Sequence, residues 1–222
     1  MRTLIHFTLS PPCRVLRAAF LEKGLEVEFR SEKVWERRDE FLAINPEGEV
    51  PVLIEPDGTT LTDLWVIIEY LEEVYPEVPL LGLDPIGRAE TRRLIVWFDH
   101  KFAREVTENL VGEKVMRRLR RQGHPSSEAI RAGKERIGYH LDYVSFLADQ
   151  RNWLAGDTIS YADLVAAAHL SAVDYLGDVP WDDYPSARLW YARMKSRPCF
   201  RPILEDLVPG VAPSIHYADP DF

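Results

Sequence analysis

The chain has 222 residues, 46% of them hydrophobic, with a formal net charge of −9 and only two cysteines. That length and composition supply a core for one large domain or two small ones, while the negative balance argues against a general nucleic-acid partner, because phosphate neutralisation needs a cationic face. No apolar run approaches the ~20 residues of a membrane helix, the amino terminus lacks the layout of a signal segment, and Cys13 and Cys199 have neither disulfide-scaffold nor metal-ligand spacing; the expectation is a cytoplasmic protein with no membrane insertion and no metal.

Thr3 to Thr8 reads as a short apolar strand, followed by a helix announced by Ser10, a preferred cap, with Pro11 suited to the first helical position. Val15, Leu16, Ala19 and Phe20 fall on one face of that helix, Arg14, Arg17, Glu22 and Lys23 lie largely elsewhere, and Gly24 stops it. Glu26 to Arg30 alternates strictly and predicts a half-buried edge strand. Residues 31–49 are polar and irregular, with a short helix predicted around Arg38 to Ile44. Asn45-Pro46 and Gly48 then lead into Val50-Pro51 and the buried strand Val52 to Ile54. A proline with no amide to give belongs at the first residue of such a strand, where a cis bond fixes a sharp turn and leaves the Val50 backbone facing outward.

Asp57-Gly58 is a hairpin signal, and Leu64, Ile67, Ile68 and Leu71 have helical spacing over about Asp63 to Tyr75. The order strand, helix, strand, helix, strand, strand, helix is thioredoxin-like. The boundaries read from these signals are a thioredoxin-like α/β domain over 1–76, a Pro- and Gly-punctuated linker over 77–85, an all-α domain over 86–207 and an extended tail over 208–222. Helical patterns cover roughly 86–121, 127–150, 160–177 and 185–207. Ser160 and Asp163 have the spacing of a capping box, and Ile159 and Leu164 that of a hydrophobic staple.

Asn45-Pro46, Gly48 and Val50-Pro51-Val52-Leu53, with the Ser160–Asp163 box and Trp190, Met194, Arg197 and Pro198, resemble the glutathione-transferase superfamily over nearly the entire chain. The resemblance implies that the Val50 edge beside Pro51 binds the cysteinyl part of glutathione. It also puts Ser10 at the sulfur-activating position, where a helix N-terminus stabilises a thiolate, and Cys13 at the second cysteine of a redoxin pair. Two readings of Ser10 and Cys13 stand: activation of a glutathione sulfur, or a helix cap beside a packed cysteine. A lone cysteine cannot run a two-thiol cycle.

At the next helix such proteins place an acid or amide followed by serine, which holds the γ-glutamyl carboxylate. Asp63 matches the acidic position, but Leu64 replaces the hydroxyl. Losing a hydrogen bond to a charged group costs about 1.5–3 kcal/mol, or roughly 10- to 100-fold in affinity. Glu49, where many relatives carry a base, adds repulsion toward an anionic tripeptide. The expectation is a degenerate glutathione site built on Val50, Pro51, Asp63 and Leu64, and no required cofactor.

Two further stretches are candidate partner surfaces. At 100° per residue Lys114, Arg117, Arg118 and Arg121 line one face, with Val115, Met116 and Leu119 opposite. This stripe is either a solvated helix end complementing its own dipole or a steering surface for an acidic protein partner. The tail carries Tyr217, Asp219, Asp221 and Phe222, apolar anchors among charges, readable as a docking element for a second partner or as a strap on the parent domain. His6, His140, His169 and the region near Trp97 are read as structural.

Phrases at 34–46, 69–77, 97–110, 152–157, 174–184 and 216–222 narrow the resemblance to a group of alphaproteobacterial cell-division factors of transferase fold. That resemblance implies binding to filaments of the tubulin-like division GTPase FtsZ, dimerisation and placement at the division site. The leading expectation is therefore a non-catalytic dimeric adaptor. The rivals are a glutathione or thiol transferase using Ser10 or Cys13, and a transferase whose altered pocket takes another thiol or a peptide.

Overall fold

The computed structural model describes residues 1–220, so Asp221 and Phe222 lie outside the described residues. A four-stranded sheet has the order β2-β1-β3-β4, from β1 (Thr3–His6), β2 (Glu28–Ser31), β3 (Val52–Ile54) and β4 (Thr60–Thr62). β1 runs parallel to β2 and antiparallel to β3, with Leu4 opposite Phe29 and Leu53, and β4 closes an antiparallel hairpin on β3. Leu4, Ile5, Val52 and Leu53 are fully buried, so the central strands are apolar on both faces. Helices α1 (Pro11–Glu22) and α3 (Leu64–Val74) cover the sheet, and the short α2 (Asp39–Leu42) precedes the Val50–Pro51 bond, which is cis as expected.

The outer strand differs from its sequence pattern. Strand pairing starts only at Glu28, and all four β2 residues are exposed; alternation there reflects an edge with little packed against it rather than a half-buried face. Helix α1 shows the opposite departure. Arg14 and Arg17, assigned off the apolar face, are both buried. Helix α7 (Tyr161–Asp174) packs on that polar side, and Arg14 donates to the Thr8 carbonyl and Ser171 Oγ while Arg17 forms a bidentate pair with Asp206 at 2.6 and 2.8 Å.

After α3 the chain is fixed in place. Glu72 accepts the Leu80 and Leu81 amides and pairs with Lys23 at 2.7 Å, and Lys23 also donates to the Tyr75 and Val78 carbonyls. Both charges are buried, which is tolerable because each has a full set of partners. Asp84 caps α4 (Pro85–Val96), which continues through a π-helical segment (Trp97–Met116) into α5 (Arg117–Leu119). Helices α6 (Ser127–Gln150), α7, α8 (Pro185–Lys195) and α9 (Arg201–Leu204) complete the helical part. The pattern over 185–207 is thus two helices, interrupted ahead of Pro202 in a segment that also carries Pro198. The capping box forms: Asp163, fully buried, accepts the Ser160 amide and hydroxyl at 3.1 and 3.0 Å, the Leu154 amide at 2.9 Å and Trp190 Nε1 at 3.0 Å.

Candidate functional site

The β1–α1 loop, the turn before β3 and the start of α3 converge on the π-helical segment. Ser10, Pro11, Glu49 and Val50 on one side, with Thr107, Val111, Glu113, Met116, Arg117 and Arg120 on the other, line a cleft of about 490 Å³. A smaller pocket of about 120 Å³ shares Glu49 and Val50 with it and adds Asn45, Glu47, Pro51, Asp63, Leu64 and Asp99. The residues predicted to hold glutathione are therefore brought together. The β3 ladder begins at Val52, which leaves Val50 outside it. Gly48 allows the preceding turn: its φ is +73°, and a Cβ there would meet Arg37 and Leu42 at 3.0 Å.

Ser10 sits in the N-cap position of α1 with extended backbone, yet its hydroxyl makes no capping bond. The capping reading of its side chain is corrected: no amide of α1 is given to the hydroxyl. Cys13 is fully buried, receives the Phe7 amide, and burial pushes its thiol up to about 11. A protonated, enclosed thiol is a poor nucleophile. Of the two candidates, Ser10 alone lines the cleft.

The start of α3 is sealed by its own side chains. Asp63 accepts the Trp65 amide at 2.7 Å and the Val66 amide at 3.4 Å, occupying donors that would otherwise meet an anion. It does so at φ +76°, a conformation that costs a non-glycine residue on the order of 1–3 kcal/mol. Leu64, 3% exposed, turns into the main core. Glu47, Glu49, Asp63 and Asp99 all line the small pocket. Sequence reading missed Asp99 and Glu47. Asp99 is 36 positions beyond Asp63 on another helix, and no local signal connects them.

The cationic stripe does not persist as one face. The helix ends at Leu119 and Arg121 adopts φ +55°. Lys114 pairs with Asp178, Arg117 with Glu113, and Arg118 donates to the Pro209 and Gly210 carbonyls, so three of the four charges hold the chain to itself. Tyr217, read as a partner anchor, is fully buried, stacks edge-on against Tyr175 and donates to the Ile203 carbonyl. The Ser214 amide donates to the Tyr175 carbonyl and its hydroxyl to the Asp174 carbonyl, and His216 meets Asp174 at 3.0 Å. The tail through these residues is a strap; Asp219 remains at its exposed end. His140 is structural as expected, bonded to Trp97 Nε1 and Glu105. Among the described residues no helix is long and apolar enough to cross a membrane.

A thioredoxin-like sheet beside a helical unit, with a cis proline on the cleft between them, defines the glutathione-transferase class. The family profile for the glutathione S-transferase N-terminal domain matches residues 4–79 and that for the C-terminal domain residues 109–198; the chain belongs to this family. The chain is 49% identical to FtsZ-localized protein A of Caulobacter vibrioides, over all of this chain and 98% of that one. Its structure superposes on FzlA from C. crescentus with a TM-score of 0.96 at 49% identity, covering 100% and 99% of the two chains. A glutathione S-transferase from Rhodospirillum rubrum F11 gives a TM-score of 0.98 at 56% identity with full coverage of both chains.

Proposed function

We propose that this chain is a division-site adaptor that binds FtsZ filaments in the cytoplasm, works as a homodimer and needs neither glutathione nor catalysis. The observation that carries the reading is full-length identity of 49% to an FtsZ-localized protein. The site supports it from an independent direction: the α3 amides are occupied by Asp63, Leu64 offers no hydroxyl, the pocket is ringed by carboxylates, and Cys13 is enclosed. Dimerisation is supported by exposed apolar side chains on α3, α4 and α6, namely Val66, Val96, Tyr139 and Phe146, adjoining the Trp97–Tyr143 contact at 4.6 Å. Two copies of one filament-binding face make modest single-site affinity sufficient. Within this reading Arg121 is the candidate partner residue that remains for filament contact beyond the end of α5. Cosedimentation with polymerised FtsZ, with and without glutathione, tests it: filament binding unaffected by glutathione is expected, and no binding alongside measurable conjugation would reverse it.

The transferase reading rests on one feature, Ser10 lining the cleft with Val50. Conjugation activity that collapses in Ser10→Ala would establish it.

A further inference from the structure

Strand β2 ends the sheet and, among the described residues, has β1 as its single neighbour. The Glu28 and Glu32 amides donate to the Arg2 and His6 carbonyls at 3.0 and 2.8 Å. Inward-facing peptide groups alternate along a parallel strand, so Arg30 belongs with these two, while Phe29 and Ser31 turn their amides and carbonyls away from the sheet. Open edges are ordinarily blunted by proline, lysine or a bulge. Residues 28–31 carry neither proline nor lysine, their pairing with β1 is unbroken from Glu28 to Ser31, and all four are exposed. The side chains divide by face. Phe29, 40% exposed, lies on the α1 side with the Arg17 guanidinium 5.6 Å from its ring centroid. Glu28 and Arg30 project from the other face. Among the described residues neither is in an ion pair, whereas Glu32 and Lys33 just beyond are paired with Arg38 and Glu36.

We infer that β2 pairs with β2 of a second copy, antiparallel about a two-fold axis at Phe29, to make one continuous sheet across two copies. Charge selects the register. Only outward-facing residues can exchange hydrogen bonds across the new seam, so Phe29 can oppose Val27, Phe29 or Ser31 of the second copy. Phe29 against Phe29 sets Glu28 against Arg30, and symmetry repeats the pair. A shift of two residues in either direction instead sets Glu28 against Glu28 or Arg30 against Arg30. A pairing centred on Ser31 brings Arg30 to Glu32, a carboxylate that is 3% exposed and already held by Arg38. Opposite charges and paired aromatic rings across a seam favour it, and like charges oppose it. The contact is distinct from the apolar face on α3, α4 and α6, because β2 lies at the other end of the sheet from β4, against which α3 packs. Two different two-fold contacts on one chain build an open row of copies rather than a closed pair, which multiplies the filament contacts of the proposed adaptor. The inference itself rests on the edge alone: without the homodimer face the row stops at two copies, and filament binding plays no part in it.

Sedimentation velocity of the full chain, from micromolar to millimolar concentration, tests the pairing on the parent, Glu28→Arg, Arg30→Glu and the double variant, all altered at exposed positions and checked for folding by circular dichroism. The parent is expected to associate beyond its dilute state as concentration rises. Each single substitution puts like charges across the seam twice and should weaken that association roughly tenfold or more. The double variant exchanges the two signs, rebuilds both pairs and should return to within about threefold of the parent. Backbone hydrogen exchange supplies a second readout: the Phe29 and Ser31 amides should gain protection as concentration rises, while the Arg30 amide is protected throughout. A parent that stays in its dilute state at millimolar concentration, single variants that associate as the parent does, a double variant no better than the singles, or association without new protection at Phe29 and Ser31 would each overturn the inference.

Discussion

Replacing Leu64 by serine returns a hydroxyl to the first residue of α3, and on the local motif alone that change should restore glutathione binding by roughly 10- to 100-fold. The structure predicts otherwise. The new hydroxyl would stand beside Glu49 and Asp63 in the same pocket. Unit charges near a protein surface repel by about 1–4 kcal/mol at contact separations, so one or two carboxylates offset the 1.5–3 kcal/mol of the regained hydrogen bond. The substitution also empties a site in the core where the side chain is 3% exposed, which costs about 2–4 kcal/mol by analogy with large-to-small changes. For a chain of this length each kcal/mol lowers Tm by roughly 2–4 °C. The expected outcome is a visibly less stable protein with unimproved affinity, while Leu64→Ser combined with Glu49→Gln gains roughly tenfold. Calorimetric titration with glutathione, on variants whose folding is checked by circular dichroism, measures both. A tenfold gain in Leu64→Ser alone would refute the charge argument.

Asp163→Ala leaves the Leu154 and Ser160 amides and Trp190 Nε1 without their acceptor; at about 1–3 kcal/mol per stranded buried group, partly relieved by relaxation, the loss is on the order of 3–5 kcal/mol. Urea unfolding followed by tryptophan fluorescence should show it, and a loss below ~1 kcal/mol would mean that the box is not a structural keystone. The Cys13 thiol, enclosed and raised to about 11, should react with a disulfide reagent at neutral pH only as fast as the chain opens; rapid native labelling would contradict the enclosure. His6 and His140 are both held neutral by burial, their pKa values lowered to about 4. The unfolded chain takes up those protons near the ordinary value of 6.5, so stability is intact above 6.5 and falls as pH drops toward about 4. The urea midpoint of His140→Gln should vary less across that window than the parent's, and an unchanged slope would show that His140 does not carry the effect.

What the sequence disclosed was local. The Val50–Pro51 bond and the Ser160–Asp163 box are each encoded within a few residues, and both appear where their chemistry demands. Helix α1 was legible only on the face turned to its own sheet. Its arginines looked like solvent residues because the groups that satisfy them, Ser171 and Asp206, arrive from more than 150 positions away. The same limit explains the cationic stripe. A helical wheel places charges on a face but cannot show that Asp178 and the Pro209–Gly210 carbonyls will come to meet them.

The candidate site divides along this line. Its skeleton, the outward Val50 edge and the α3 start, is a short-range feature that survives when the ligand changes. Its polarity is not. Glu47 and Glu49 come from one turn, Asp63 from the next helix and Asp99 from the helical unit, and only their sum decides whether an acid or a base is welcome. Charge acts through space while backbone pairing acts through geometry, so the two can vary separately at the cis-proline turn. Asp99 is the most telling of the four: it places the helical unit's own carboxylate, backed by the buried His169, against the sheet unit's ligand edge. A scaffold of this class can therefore exchange the ligand it selects by altering the segments facing the edge, with the edge itself left intact.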